Sequence, residues 1–549
     1  MKKYSLLLLV VTLCISCSST KDASKAEKTP FVWESANVYF LLIDRFNNGD
    51  TTNDNPLKRD KPTGKLRGFM GGDLRGVIQK LDEGYFTDLG INAIWMTPVV
   101  EQIHGSVDEG TGNTYGFHGY WTKDWTALDP NYGTRADLAE LVEKAHARGI
   151  RIVLDAVINH TGPVTDIDGV YPIDWVRTFP KCQYNNYENT ITCTLVDNLP
   201  DVKTESNKEV GLPPMLIQKW KKEGRYEQEV AELDAFFKAT GYPRVPRYYI
   251  MKWLADYITD FGIDGYRADT VKHTHEDVWA DFYKVCEIAF AEYKKNNPSK
   301  VLDNNPFFTV GEVYGYYIGG KRLYDFGDKK VDYFANGFSS LINFDFRNEA
   351  KMNYEELFSK YNGILQNDLK GKSVMNYVTS HDDGYPFDKK REKTFEAGTK
   401  LLLAPGIAQV YYGDELARPL DIEGTQGDAT LRSFMNWDDL KTDKSKYLLL
   451  YHFQQLGKFR SNHPAIGAGV HQQITSAPYV FSRVYTKDTY TDKVVVGLDL
   501  PIGKKEISVG TVFENGTSLK DSYSGKSVTV SNGKVSIDSP YGIILLEKE

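Results

Sequence analysis

The sequence predicts an α/β chain: a (β/α)8 TIM barrel with an inserted subdomain after its third strand, followed by a C-terminal antiparallel β-sandwich. Three observations predict this. From Asn37 to about residue 460, short apolar runs alternate with helical periodicity, as in parallel strands joined by crossover helices. Over residues 161–247 a polar, Tyr- and Pro-rich stretch, far longer than an ordinary βα loop, interrupts that alternation. After about His463 the runs become short and alternating, as in TDKVVVGLDL and KSVTVSNGKVSI, with the turn signal Asn532-Gly533.

In chain order, Val38 to Ile43 is the first strand candidate, and Leu74 to Leu89 is an amphipathic helical pattern. Ile91 to Met96 is a strand closed by Thr97-Pro98. Ala136 to Arg148 reads as a helix on the apolar spacing of Leu138, Leu141, Val142 and Ala145, and the strand Ile150 to Ile158 follows Gly149. Later strands are predicted at Ile263 to Ala268, Phe307 to Val313, Val374 to Thr379 and Ile407 to Tyr412, with a sixth somewhere within Val331 to Phe344. About eight such units close as a barrel. The partition is a signal segment at 1–17, a polar linker at 18–36, the barrel at 37–160 and 248–460, the inserted subdomain at 161–247, and a β domain at 461–549.

A length of 549 residues suits two or three domains. The balance of 66 basic against 74 acidic residues argues against nucleic acid as a partner. The 35 Tyr and 9 Trp suit either rings stacked on sugars or a large core. Lys2 and Lys3 precede the apolar run Leu6 to Leu13, which is too short to span a bilayer. With Cys14-Ile15-Ser16-Cys17 and the polar stretch after it, this resembles a bacterial lipoprotein signal with Cys17 as the lipidated residue; a plain secretory signal is the alternative. Either exports the chain, to the periplasm or the cell surface, and a lipid anchor would be its only link to a membrane. Export permits disulfides. Of the three remaining cysteines, Cys182 and Cys193 flank QYNNYENTIT and suit a staple, while Cys286 lies in an apolar helical pattern as a buried thiol.

Active sites of such barrels gather at the C-terminal strand ends. Four polar clusters fall there: Asp155, Asn159 and His160 in DAVINH; Arg267 and Asp269 in GIDGYRADTVKH; Glu312 in GEVY; and His381, Asp382 and Asp383 in TSHDD. Arg267 and Asp269 are two residues apart and share one side of an extended strand, so the guanidinium favours the charged carboxylate beside it. Two carboxylates about 5–5.5 Å apart are what retaining glycoside hydrolysis uses.

These four segments, in this order and spacing, resemble the signature regions of the α-amylase family, glycoside hydrolase family 13. The resemblance runs from about Val38 into the C-terminal domain and looks closest to exported bacterial α-amylases, periplasmic ones included. It implies that Asp269 is the nucleophile, Glu312 the general acid/base and Asp382 the group that binds sugar hydroxyls. Arg267 would orient Asp269, and His160 and His381 would hold the sugar at the cleaved position. Phe117 to Trp121 resembles the family's segment after the second strand, where His118 and Tyr120 would meet the sugar; Trp121 has an aromatic-core alternative. Lys272 and His273 match a pair on the leaving-group side. For the acid role, Glu312 should give up its proton less readily than Asp269.

The resemblance also implies one or two Ca²⁺ ions, which take hard oxygen ligands. Asn159, Asp201 and the His273 carbonyl match one site. Asn48, Asp50, Asn53 and Asp54, with the Gly71 carbonyl and Asp73, resemble a second, whose alternative is a solvated turn. The implied activity is endo-hydrolysis of α-1,4 bonds in starch, glycogen or maltodextrins. The alternatives are a cyclodextrin hydrolase or glucan transferase of the same family, or a starch-binding protein without chemistry. Oligomeric state is not encoded in these features.

Overall fold

The computed structural model describes residues 29–549; the segment from Lys2 to Leu13 and Cys17 lie outside the described residues. Eight parallel strands close a barrel: β1 (Asn37–Leu41), β2 (Ala93–Met96), β3 (Arg151–Ala156), β4 (Gly265–Ala268), β5 (Phe308–Gly311), β6 (Ser340–Asn343), β7 (Ser373–Tyr377) and β8 (Ile407–Tyr411). Each pairs with its sequence neighbour, and β8 closes on β1 with Asn37 opposite Ala408. Every residue of these strands is buried, as a parallel sheet wrapped by helices requires. The sixth strand therefore falls inside the predicted Val331 to Phe344 range, at its C-terminal end.

Local chemistry sets the crossover helices. Helix α1 (Leu74–Asp82) starts where the Asp73 carboxylate accepts the Gly76 N–H at 2.6 Å. The amphipathic run from Leu74 to Leu89 does not stay one helix. Gly84, at φ +81°, turns the chain into a separate short helix at Tyr85–Asp88. Helix α2 (Arg135–Ala147) opens with a reciprocal cap between Thr134 and Asp137. Helix α3 (Pro246–Phe261) ends at Gly262, at φ +74°, where a Cβ would lie 2.1 Å from the Tyr293 ring. Only glycine fits there, and that turn delivers the chain into β4 and its Arg267.

Between β3 and α3 the inserted stretch forms a two-stranded pairing of Val176–Arg177 with Asp201–Val202 and the helices Pro214–Glu223 and Tyr226–Thr240. A disulfide joins Cys182 to Cys193, and Cys286 is a buried free thiol. Trp175 and Trp220 of this stretch pack on Trp253 of α3, which also faces Trp125, each pair of rings 6.1 Å apart. Much of the chain's aromatic content is thus core. A smaller excursion follows β2, where Val100–Gln102 pairs antiparallel with Thr122–Leu128 and carries the loop bearing His118 and Tyr120.

One boundary is corrected. The polar linker expected through residue 36 ends sooner, because Val32, Trp33, Ser35 and Ala36 are buried. The Trp33 ring stacks on Phe308 of β5 at 3.9 Å, so this segment packs against the strands instead of trailing from them. After the barrel, a six-stranded antiparallel sheet faces the pair Gly503–Ser508 and Lys534–Ser539 across a second core that includes Val480, Val495, Ile507 and Ile537. Asn532 and Gly533 both have positive φ, as a tight hairpin turn needs. Among the described residues no helix is long and apolar enough to cross a membrane.

Candidate active site

Barrel register brings the charged groups together. Arg267 in β4 pairs with Asp155 in β3, and β5 ends at Gly311, immediately before Glu312. The buried Arg267 guanidinium binds three carboxylates. Nη1 donates to Asp269 Oδ1 at 2.6 Å and to Asp155 Oδ1 at 3.0 Å, while Nη2 lies 3.1 Å from Glu312 Oε2. Asp155 also accepts from the Tyr120 hydroxyl at 2.9 Å and from Trp95 Nε1 at 3.2 Å.

Thr270 follows Asp269 in a left-handed conformation, φ +48°, which is costly for a β-branched residue. That conformation aims its N–H at Glu312 Oε2, 2.9 Å away. Burial pushes the Glu312 carboxyl up to about 8; Arg267 opposes the rise, and the charges of Asp269 and Asp382 add to it. Burial likewise raises Asp155, with Arg267 again opposing.

Aromatic and imidazole rings gather beside these carboxylates. Tyr120 lies 5.4 Å from His381 and 5.8 Å from His118, near parallel to both. The Tyr120 N–H donates to His118 Nδ1 at 3.1 Å, and His160 Nε2 donates to the Tyr120 carbonyl at 3.1 Å. Burial holds His118, His160 and His381 below the usual imidazole range, so they present neutral hydrogen-bonding edges. Asp382 is less buried; Ser380 Oγ donates to it at 3.2 Å. Asp383 turns away from the cluster, to Arg347 and to the Tyr377 hydroxyl. Trp121 packs with Ile103 and Leu199 as core.

The family model of the α-amylase catalytic domain matches residues 40–469. The chain belongs to the α-amylase family, glycoside hydrolase family 13. It is 36% identical over 499 residues to the periplasmic α-amylase of Escherichia coli, covering 80% of this chain and 69% of that one. It is 25% identical over 587 residues to the cyclomaltodextrin glucanotransferase of Thermoanaerobacterium thermosulfurigenes, covering 98% and 73%. Its fold matches the crystal structure of an Anoxybacillus α-amylase with a TM-score of 0.64 at 24% identity, over 95% of this chain and 99% of that one.

In this α-amylase-family chain, Lys272 faces the residues that follow Glu312. Its ammonium donates to the carbonyl of Tyr314 at 3.1 Å and to the Tyr324 hydroxyl at 3.4 Å, and burial lowers its pKa. His273 Nδ1 donates to the Thr190 carbonyl at 2.8 Å, and burial brings its pKa down to about 4.

Of the residues matched to the first calcium site, Asn159 and Asp201 are brought together. Val202 N–H donates to the Asn159 carbonyl at 2.7 Å, and Asp201 bridges to His160. Both Asp201 carboxylate oxygens and Asn159 Nδ2 are buried without a hydrogen-bond partner. Arg177 Nε lies 3.2 Å from Asp201 Oδ2, close in charge but not aligned to donate. A buried carboxylate left in that state fits a hard cation. In the second group, Asn48 Oδ1 and Asn53 Oδ1 are buried and unpartnered, and a Cβ on Gly71 would lie 2.5 Å from Asn48 Nδ2 and 2.7 Å from Asp54 Oδ1. Asp54 Oδ1 takes the Asn48 Nδ2 hydrogen at 2.8 Å, but Asn48 Oδ1 and Asn53 Oδ1 are left as acceptors that suit a hard cation. Asp73, by contrast, already accepts from the N–H groups of Gly49, Asp50 and Gly76, and Asp50 accepts from Thr52.

Sequence reasoning gave no role to Asp155, Trp95, Thr270 or Arg432. Arg432 Nε donates to the His381 carbonyl at 2.9 Å and pairs with Asp428 at 2.6 Å. Asp155 alone had a signal, because it stands in a strand-end cluster beside the one containing Arg267.

Proposed function

We propose that this chain is an endo-acting α-amylase that hydrolyses internal α-1,4 bonds of starch, glycogen or maltodextrins with retention. The observation that carries the reading is the sharing of buried Arg267 by Asp269 and Glu312, with the Glu312 carboxyl pushed up to about 8. A carboxyl that keeps its proton at neutral pH serves as general acid, and a carboxylate paired with a guanidinium serves as nucleophile. In the first step Glu312 protonates the leaving glycosidic oxygen while Asp269 Oδ attacks the anomeric carbon. In the second, Glu312, now ionised, takes a proton from water, which displaces Asp269. Asp382 and the neutral His160 and His381 hold the sugar hydroxyls, and Tyr120 stacks on the ring.

Asn159, Asp201 and the His273 carbonyl would hold one Ca²⁺, and the Asn48 to Asp54 loop with Gly71 and Asp73 a second. Calcium there would tie the inserted stretch and the first loop to the barrel, shaping the cleft without entering the reaction. Export is supported by the similarity to a periplasmic enzyme, and Cys17 is the residue we assign to lipid anchoring. Glucan transfer or cyclodextrin opening is the second reading, favoured by the match to a glucanotransferase along nearly the whole chain.

The test is a product profile over time on soluble starch, maltodextrins and cyclodextrin. Early loss of iodine staining with mixed oligosaccharides supports endo-hydrolysis. Ring opening or longer transfer products support the second reading, and no products from any substrate overturn both.

A further inference from the structure

Arg45 is fully buried in the short helix Ile43–Phe46 that follows β1, and every N–H of its guanidinium is spent. Nε donates to Asp44 Oδ2 at 2.7 Å. Nη1 donates to the Arg432 carbonyl at 3.0 Å and to Met70 Sδ at 2.9 Å, and Nη2 donates to the carbonyls of Leu66 and Gly68 at 3.1 and 2.5 Å. The guanidinium carbon lies 3.8 Å from the centre of the Phe117 ring. One side chain thus grips three loops at the C-terminal mouth of the barrel, those after β1, β2 and β8. Asp44 braces it by accepting the N–H groups of Met70 and Gly71. Two of these grips lead to imidazoles. Phe117 precedes His118, and their rings meet edge to face at 5.3 Å. Arg432, whose carbonyl Arg45 holds, donates from Nε to the His381 carbonyl at 2.9 Å. Burial, then the charges of Arg432 and Arg45, hold the His118 imidazole below its usual range.

We propose that Arg45 is a positioning residue for the sugar at the cleaved bond. It sets His118 through Phe117 and His381 through Arg432, without touching the glucan itself. The proposal rests on the amylase reading for what those imidazoles hold. Lysine cannot substitute, because its donors radiate from one point and it has no flat face to lay on a ring. It could hold only part of this set. With every N–H committed, any displacement of the guanidinium shifts at least one of the three loops. A shift near 1 Å at a reacting group can cost about a hundred-fold in rate.

The experiment compares Arg45→Met and Arg45→Lys with the parent protein, with Arg460→Met as the control. Arg460 is also buried and also bound to backbone carbonyls, those of Leu402, Ala404 and Gly406, but these lie before β8, at the opposite end of the barrel. All three variants should melt lower than the parent. Only the Arg45 variants should lose kcat, by at least about ten-fold for Met and by less for Lys. The loss should be equal on maltopentaose and maltoheptaose, because both place a unit at the cleaved bond. The alkaline limb of kcat/KM should not move, since Arg45 donates to none of the carboxylates that Arg267 holds. In histidine-labelled protein, the imidazole NMR signals of His118 and His381 should shift in both Arg45 variants and stay in Arg460→Met. Lower melting with parent-like kcat and unmoved imidazole signals would make Arg45 a clamp for the fold alone and overturn the proposal. Should Arg45→Met fail to fold, Arg45→Lys carries the same two readouts. If the parent hydrolyses no glucan, the amylase reading fails, and the imidazole signals still decide whether Arg45 sets these rings.

Discussion

Arg267 Nη2 stands 3.1 Å from Glu312 Oε2, although sequence reasoning assigned that guanidinium to Asp269. Glu312 is thus held by the same cation as Asp269, yet burial and the neighbouring carboxylates outweigh that cation and raise the Glu312 carboxyl. The opposed forces set both the geometry of the pair and its protonation.

Replacing Arg267 with Lys removes a fork that a point charge cannot reproduce toward three carboxylates. Arg267→Lys should lower kcat/KM at least about a hundred-fold and destabilise the fold by about 3–5 kcal/mol, the scale for breaking a buried pair. Steady-state kinetics and urea melts measure both. Undiminished kcat/KM would remove Arg267 from the site.

Glu312→Gln should lower hydrolysis at least about a thousand-fold while glucan binding persists. The pH dependence has a definite sign. The folded-state carboxyl titrates near 8, above its unfolded value near 4.5, so the native state binds more protons between those limits. Its stabilising contribution is complete below 4.5 and is lost as pH rises through about 8, where kcat/KM should also show its alkaline limb. Parent and Glu312→Gln proteins, melted across that window, should differ in slope; parallel curves would refute the assignment.

Calcium should raise the melting temperature, since a ligand bound only by the native state at a hundred times its Kd adds about 2.7 kcal/mol. Asp201→Asn should abolish part of that gain. In chelator the same variant should melt no lower than the parent, because it removes a buried charge whose oxygens lack hydrogen-bond partners. A lower melting point in chelator would show instead that Arg177 is the partner that counts.

Trp33→Ala should cost about 3 kcal/mol by emptying the space over Phe308, the lower end of the range for truncating a buried aromatic. The product profile should be unchanged, because Trp33 touches none of the site residues. Melting within a degree of the parent would mean that the segment is only draped over the strands.

Much of the barrel was legible because period and punctuation are local. Apolar runs mark buried strands, Gly149 follows the helical spacing of Leu138 to Ala145, and Asn532-Gly533 marks a hairpin. Glu312, Asp382 and Asp269 stood out for the same reason: Asp269 and Glu312 directly follow strand ends, Asp382 lies five residues past one, and each sits in a short polar motif. The linker was misjudged because Trp33 is one aromatic in a polar stretch, and only Phe308, 275 positions later, makes it part of the core.

By itself the sequence determined the order of the strands, the acids at their ends and the lone cysteine pair in the inserted stretch. Tertiary structure alone decided that Arg267 serves Asp155, Asp269 and Glu312 at once, that Thr270 turns left-handed to hold Glu312, and that the Thr190 carbonyl orients His273. Each of these depends on residues far apart in the chain meeting at one distance. Periodicity fixes which face a side chain takes, but only the register of a closed barrel and the docking of its loops fix what that side chain meets.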